Sequence, residues 1–160
     1  MASAAKRLRV LFLCTGNSCR SQMAEGWARS LCSDSIEPYS AGIDPHGINR
    51  LAVRAMAEVG IDLSAHTSKR PEELGVEFDY VITVCDSAHE ACPLFPARTR
   101  VIHMGFDDPP RLAERAKNDD EAMPHYRRVR DEIRRFVESL PDVLTAKYAG
   151  AAHERGDQLR

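Results

Sequence analysis

The apolar run Leu8–Leu13 is unbroken except at Arg9, and it predicts a strand buried on both faces. It leads into Cys14-Thr-Gly-Asn-Ser-Cys-Arg20, after which Met23, Trp27 and Leu31 recur at helical spacing. A second strand is expected over 36–40, closed by Gly42 and Pro45. Residues 49–59 place Leu51, Ala52, Ala55, Met56 and Val59 on one helical face, with Gly60 as the stop. Residues 80–84 and 100–104 read as third and fourth buried strands, the latter running into Gly105-Phe-Asp-Asp-Pro109. A long helix is predicted over 120–140, with Pro124 in its first turn and Pro141 as its end. Strands alternating with helices predict an α/β domain, a parallel sheet covered by helices on both faces. No repeat or linker divides the chain, so one domain is expected over 1–143. From Thr145 the sequence is polar and aperiodic, and residues 144–160 are expected to form a mobile tail.

Composition narrows what this domain does. A net charge of −2 over 160 residues offers no general attraction to nucleic acid or to an anionic membrane. The run Val10–Leu13 is far too short to span a bilayer, and nothing before it resembles a secretory signal. A cytoplasmic setting follows, where thiols stay reduced. Five cysteines (14, 19, 32, 85 and 92) then call for catalysis, metal binding or simple burial rather than a disulfide framework. The C-x4-C and C-x6-C spacings fit zinc pairs poorly, so no metal or other cofactor is expected. Cys32 reads as a small buried hydrophobe, and so does Cys19 inside the loop. The basic run Arg127–Arg130 alternates with acids along a helix and reads as a solvated face.

The sharpest local signal is Cys14-x5-Arg20-Ser21 between a buried strand and a helix. In an open parallel sheet, ligands bind beyond the carboxyl ends of the strands, where this loop lies. Gly16 permits a sharp turn, so that the N–H groups of Thr15, Gly16, Asn17, Ser18 and Cys19 can line an anion-binding nest. The helix starting at Arg20 adds its positive end, and the guanidinium can grip two oxygens of a phosphate-like anion. The same donors stabilise a Cys14 thiolate, arming it as a nucleophile, and Ser21 is expected to add a hydrogen bond to that sulfur. In-line displacement needs an acid for the leaving oxygen, and Asp108 and Asp107 both compete for that role.

Residues 13–27 together with Tyr39-Ser-Ala-Gly-Ile43 and Gly105-Phe-Asp-Asp-Pro109 resemble the thioredoxin-coupled arsenate reductases. Those enzymes share the low-molecular-weight protein tyrosine phosphatase fold, with a four-stranded parallel sheet flanked by helices. The resemblance runs from about Leu8 to Leu140. It implies Cys14 as nucleophile, Arg20 as oxyanion clamp and Asp108 as general acid. It also gives a role to Cys85-x6-Cys92. Cys14 attacks arsenate, Cys85 attacks the Cys14 sulfur and expels arsenite, and Cys92 takes over the disulfide for reduction by thioredoxin. If residues 85–92 were helical, seven steps would separate the two cysteines by about 10 Å. A disulfide tolerates roughly 7 Å, so the segment must open in each cycle.

A phosphatase on the same scaffold is the main alternative, acting on phosphotyrosine or a small aryl phosphate. Against it, Pro110 and Arg111 follow the Asp-Pro where such phosphatases usually carry an aromatic residue. A third reading is a thiol sensor that oxidises once and waits for a partner. A monomer is expected. Some reductases of this family also hold potassium through an Asn, a Glu, a Ser and an Asp. Three of these match as Asn17, Glu25 and Ser40, and Lys69 stands in place of the Asp, where its ammonium is expected to substitute for the ion.

Overall fold

A computed structural model describes residues 6–149, with side chains as far as residue 144. Four strands, β1 (Leu8–Cys14), β2 (Ile36–Gly42), β3 (Tyr80–Thr83) and β4 (Arg100–His103), form one sheet in the order β2-β1-β3-β4, with every pair parallel. The helices are α1 (Arg20–Leu31), α2 (Arg50–Ala57), α3 (Asp86–Glu90), α4 (Pro109–Leu112) and α5 (Asp119–Ala149). β1 and β3 lie in the middle of the sheet, and their apolar runs are buried, as the absence of polar alternation requires. α1 and α2 pack against α5, and the Trp27 indole N–H donates to Arg130 O at 3.0 Å. The register sets Cys14 opposite Gly42 and Leu13 opposite Thr83, which in turn faces His103. The carboxyl ends of all four strands therefore open at one edge, where β1 delivers Cys14 and β3 delivers Cys85.

The elements match the sequence expectation closely, with instructive differences. β2 runs two residues further than expected, since Gly42 lies flush against the anion loop: a Cβ there would sit 2.6 Å from Thr15 O. Leu31 lies at helical spacing on α1, yet it is exposed. Pro141 does not end α5, which continues to Ala149, so residues 144–149 are helix and not tail. A proline inside a helix withdraws the N–H that would serve the carbonyl four residues back, here Val137 O. Cys32 supplies a donor instead, its Sγ lying 3.4 Å from Val137 O. Leu140 and Leu144 are both fully buried, so packing holds the helix on either side of Pro141. The remainder of the expected tail, 150–160, lies outside the described residues. Among the described residues no helix is long and apolar enough to cross a membrane.

Candidate active site

The loop between β1 and α1 turns at Asn17, the only non-glycine residue with positive φ (48°) among the described residues. Gly16, expected to provide the turn, is needed for room instead: a Cβ there would collide with the His46 ring. Asn17 holds its uncommon conformation through its side-chain amide and its carbonyl. Its Nδ2 donates to Ser21 Oγ (2.9 Å) and Ser40 Oγ (3.0 Å), while its Oδ1 accepts from the Lys69 N–H (3.0 Å). Its carbonyl accepts from Ser68 Oγ (2.7 Å) and Gln22 Nε2 (3.2 Å). The Asn17 side chain thus faces the interior, whereas Cys14, Thr15, Gly16, Ser18, Cys19 and Arg20 line the cleft. The N–H groups of Gly16, Ser18 and Cys19 meet no acceptor among the described residues, which leaves them for a ligand. Ser21 does not make the expected bond to the Cys14 sulfur. Its Oγ instead accepts from Asn17 Nδ2, which holds the hydroxyl on the interior side of the loop.

Arg20 is the cation of this loop. Its Nη1 donates to Phe106 O at 3.0 Å and its Nη2 lies 3.4 Å from Asp108 Oδ1. Its Nε is buried and has no hydrogen-bond partner among the described residues. A buried guanidinium N–H left unpaired is costly, and an oxyanion seated in the loop would satisfy it. The two aspartates that competed as general acid are separated by the fold. Asp108 caps α4 and faces Arg20, while Asp107 turns away to pair with Arg128 on α5 at 3.0 Å.

All five cysteines are free thiols. Cys14 and Cys85 both line the cleft, and each thiol perturbs the ionisation of the other. The neighbouring Cys14 thiol, with hydrogen bonds from Thr15 (3.4 Å) and the Ala88 N–H (3.4 Å), holds Cys85 down at about 5. The neighbouring Cys85 and burial push Cys14 up, although Arg20 opposes this. The two thiols are thus shifted in opposite directions, Cys85 toward the thiolate and Cys14 toward the thiol. Burial raises both Cys19 and Cys92, which stay protonated. Cys92 is half-buried, and α3 takes up five of the six positions between it and Cys85, where a fully helical path would set the two about 10 Å apart.

Lys69 does not fill the place expected for it. Its backbone N–H reaches Asn17, but its ammonium donates to Thr67 O at 2.7 Å. The cation on Glu25 is Arg29, one turn along α1, at 2.6 Å. Ser40 Oγ donates to the other Glu25 oxygen at 2.5 Å. Burial lowers the Lys69 pKa, and the Glu25 charge only partly opposes this. Sequence reasoning missed Arg29, whose signal was the Glu25-to-Arg29 spacing of four on a helix. It also missed Gln22, Ser68 and the Phe106 carbonyl, which carry no motif and become partners only through the fold.

The profile of the low molecular weight phosphotyrosine protein phosphatases matches residues 9–149. An arsenate reductase of Halalkalibacterium halodurans is 46% identical over 134 residues, covering 83% of this chain and 94% of that protein. An arsenate reductase of Bacillus subtilis is 48% identical over 125 residues, covering 78% of this chain and 88% of its own. A solved structure described as an arsenate reductase in the phosphate binding state superposes with a TM-score of 0.66 at 31% identity, covering 85% of this chain and 98% of that one. With these matches over the same strands, loop and helices, the chain belongs to the low molecular weight phosphotyrosine protein phosphatase family, with arsenate reductases among its relatives.

Proposed function

We propose that the protein is a cytoplasmic arsenate reductase that works by a three-thiol relay and is regenerated by thioredoxin. The observation that carries this reading is the second thiol, Cys85, in the same cleft as Cys14 and in contact with Thr15 of the anion loop at 3.4 Å. Hydrolysis needs only one sulfur there, whereas reduction needs a second that can take over the first. Arsenate enters the loop, its oxygens meeting the unpaired N–H groups and Arg20 Nε. With its proton passed to the Cys85 thiolate, Cys14 attacks arsenic, and Asp108 gives a proton to the departing oxygen, which leaves as water. Cys85 then attacks the Cys14 sulfur. The electron pair of the S–As bond stays on arsenic, arsenite departs, and a Cys14–Cys85 disulfide remains. Cys92 attacks Cys85, freeing the Cys14 thiolate, and the dithiol of thioredoxin reduces the resulting Cys85–Cys92 disulfide. The names of the relatives favour arsenate as the oxyanion.

Hydrolysis of a small aryl phosphate is the second reading, favoured by the set Cys14, Arg20 and Asp108, which is sufficient for it. The deciding experiment is arsenate-dependent consumption of NADPH with thioredoxin and thioredoxin reductase supplied. Steady turnover supports the relay. Hydrolysis of an aryl phosphate with no arsenate-dependent oxidation of NADPH would assign the chain to the phosphatases.

A further inference from the structure

The relay leaves one cluster of side chains unused, and it sits on the segment that has to move. Asp86 is the first residue of α3, and its Oδ1 lies 2.9 Å from Nε2 of His103 at the end of β4. A carboxylate only accepts, so Nε2 carries the proton. The other ring nitrogen, Nδ1, lies 2.8 Å from the Thr83 hydroxyl at the end of β3. His89, three residues along α3, stacks on His103 with centroids 4.3 Å apart and planes 27° from parallel. Its Nδ1 also reaches the Thr83 hydroxyl, at 3.5 Å. One imidazole on the sheet therefore grips both ends of α3. Little else does: α3 is five residues long and buries only Ala88. Gly105 leaves the space, since a Cβ there would lie 3.1 Å from Asp86 Oδ1 and 3.2 Å from His103 Nε2.

We propose that the His103–Asp86 contact is a clasp that latches the Cys85–Cys92 segment closed, and that His103 is a positioning residue setting how often Cys92 reaches Cys85. The inference rests on the thiol-relay reading and adds its gate. While the clasp is shut, α3 presents Cys85 as its N-terminal cap, its sulfur accepting from the Ala88 N–H, and the helix stands between Cys85 and Cys92. When it opens, α3 unwinds and the second exchange becomes possible. A five-residue helix held by one charged hydrogen bond and one stacked pair opens at modest cost, as a segment used in every cycle must.

The test bypasses arsenate. In a Cys14→Ser background, diamide withdraws two electrons from Cys85 and Cys92, forming their disulfide as the reagent is reduced to its hydrazine. The rate of that disulfide, and hydrogen exchange of the 86–91 amides, are measured for Asp86→Ala, His103→Ala, the double variant, Asp86→Asn and Glu90→Ala. Both rates should rise about fivefold in Asp86→Ala, the loss of one hydrogen bond to a charged group, and at least as much in His103→Ala, which also loses the stack on His89. The double variant should be no faster than His103→Ala. Asp86→Asn keeps an acceptor oxygen and should restore slow opening, and Glu90→Ala, outside the clasp, should match the unmodified segment. Alanine variants as slow as Glu90→Ala, additive effects in the double variant, or an asparagine variant as fast as alanine would each overturn the clasp. Absence of arsenate turnover in the intact enzyme would instead count against the relay and leave this result standing.

Discussion

The lowered Cys85 gives the site a distinctive dependence on pH. Its pKa is held at about 5, so the thiolate is present above that pH and is lost as pH falls through it. Ultraviolet thiolate absorbance of the reduced protein should persist from neutrality down to about pH 5, and alkylation by iodoacetamide should then slow about tenfold per pH unit. A midpoint near the usual thiol value would contradict the lowered Cys85. The two aspartates separate just as sharply. Asp108→Asn should slow the first chemical step by about 10²–10⁴-fold in single-turnover assays. Asp107→Asn, which only breaks an exposed pair with Arg128, should stay within about twofold and cost under about 1 kcal/mol. Cys14, Arg20 and the choice between two neighbouring aspartates were legible as a motif at a strand end. Their true supports were not. Asn17 rather than Gly16 makes the turn, and Arg29 rather than Lys69 neutralises Glu25, because both outcomes depend on where distant chain segments meet.

Among the elements, α5 carries the clearest departure from sequence expectation. Pro141 reads as a helix end, yet burial of Leu140 and Leu144 and the Cys32 thiol on Val137 O carry the helix through it. If so, Pro141→Ala should stabilise the protein by about 1–3 kcal/mol in denaturant melts, since an interior proline costs about that much. Cys32→Ala should cost about 1–2 kcal/mol in the natural sequence, where it leaves the Val137 carbonyl unpaired. In the Pro141→Ala background the same change should cost less, because the restored N–H serves that carbonyl. Equal costs in both backgrounds would show that the thiol is mere packing. The strands were legible because uninterrupted apolar runs such as 8–13 and 80–84 have no other stable home. Their exact ends were not: β2 stops where Gly42 meets the loop, a contact between segments far apart in sequence.

At the scale of the whole molecule, the order β2-β1-β3-β4 is what makes chemistry from separate pieces of sequence. Adjacent β1 and β3 bring Cys14 beside Cys85, and β4 alongside β3 carries Asp108 to Arg20 and His103 to α3. Sequence patterning predicted a parallel sheet, and the family resemblance linked its cysteines into a relay. Neither could tell that Cys14 and Cys85 shift one another's ionisation, nor that a helix stands between Cys85 and Cys92, since both depend on packing. The central claim is that three thiols act in a fixed order, and the most direct measurement is made on Cys92→Ser. After one addition of arsenate, arsenite is counted and the protein is digested without reduction for peptide mapping by mass spectrometry. The account predicts one arsenite per enzyme and a Cys14–Cys85 disulfide. Repeated turnover of this variant with thioredoxin, or arsenite released with Cys14 and Cys85 still free, would contradict it.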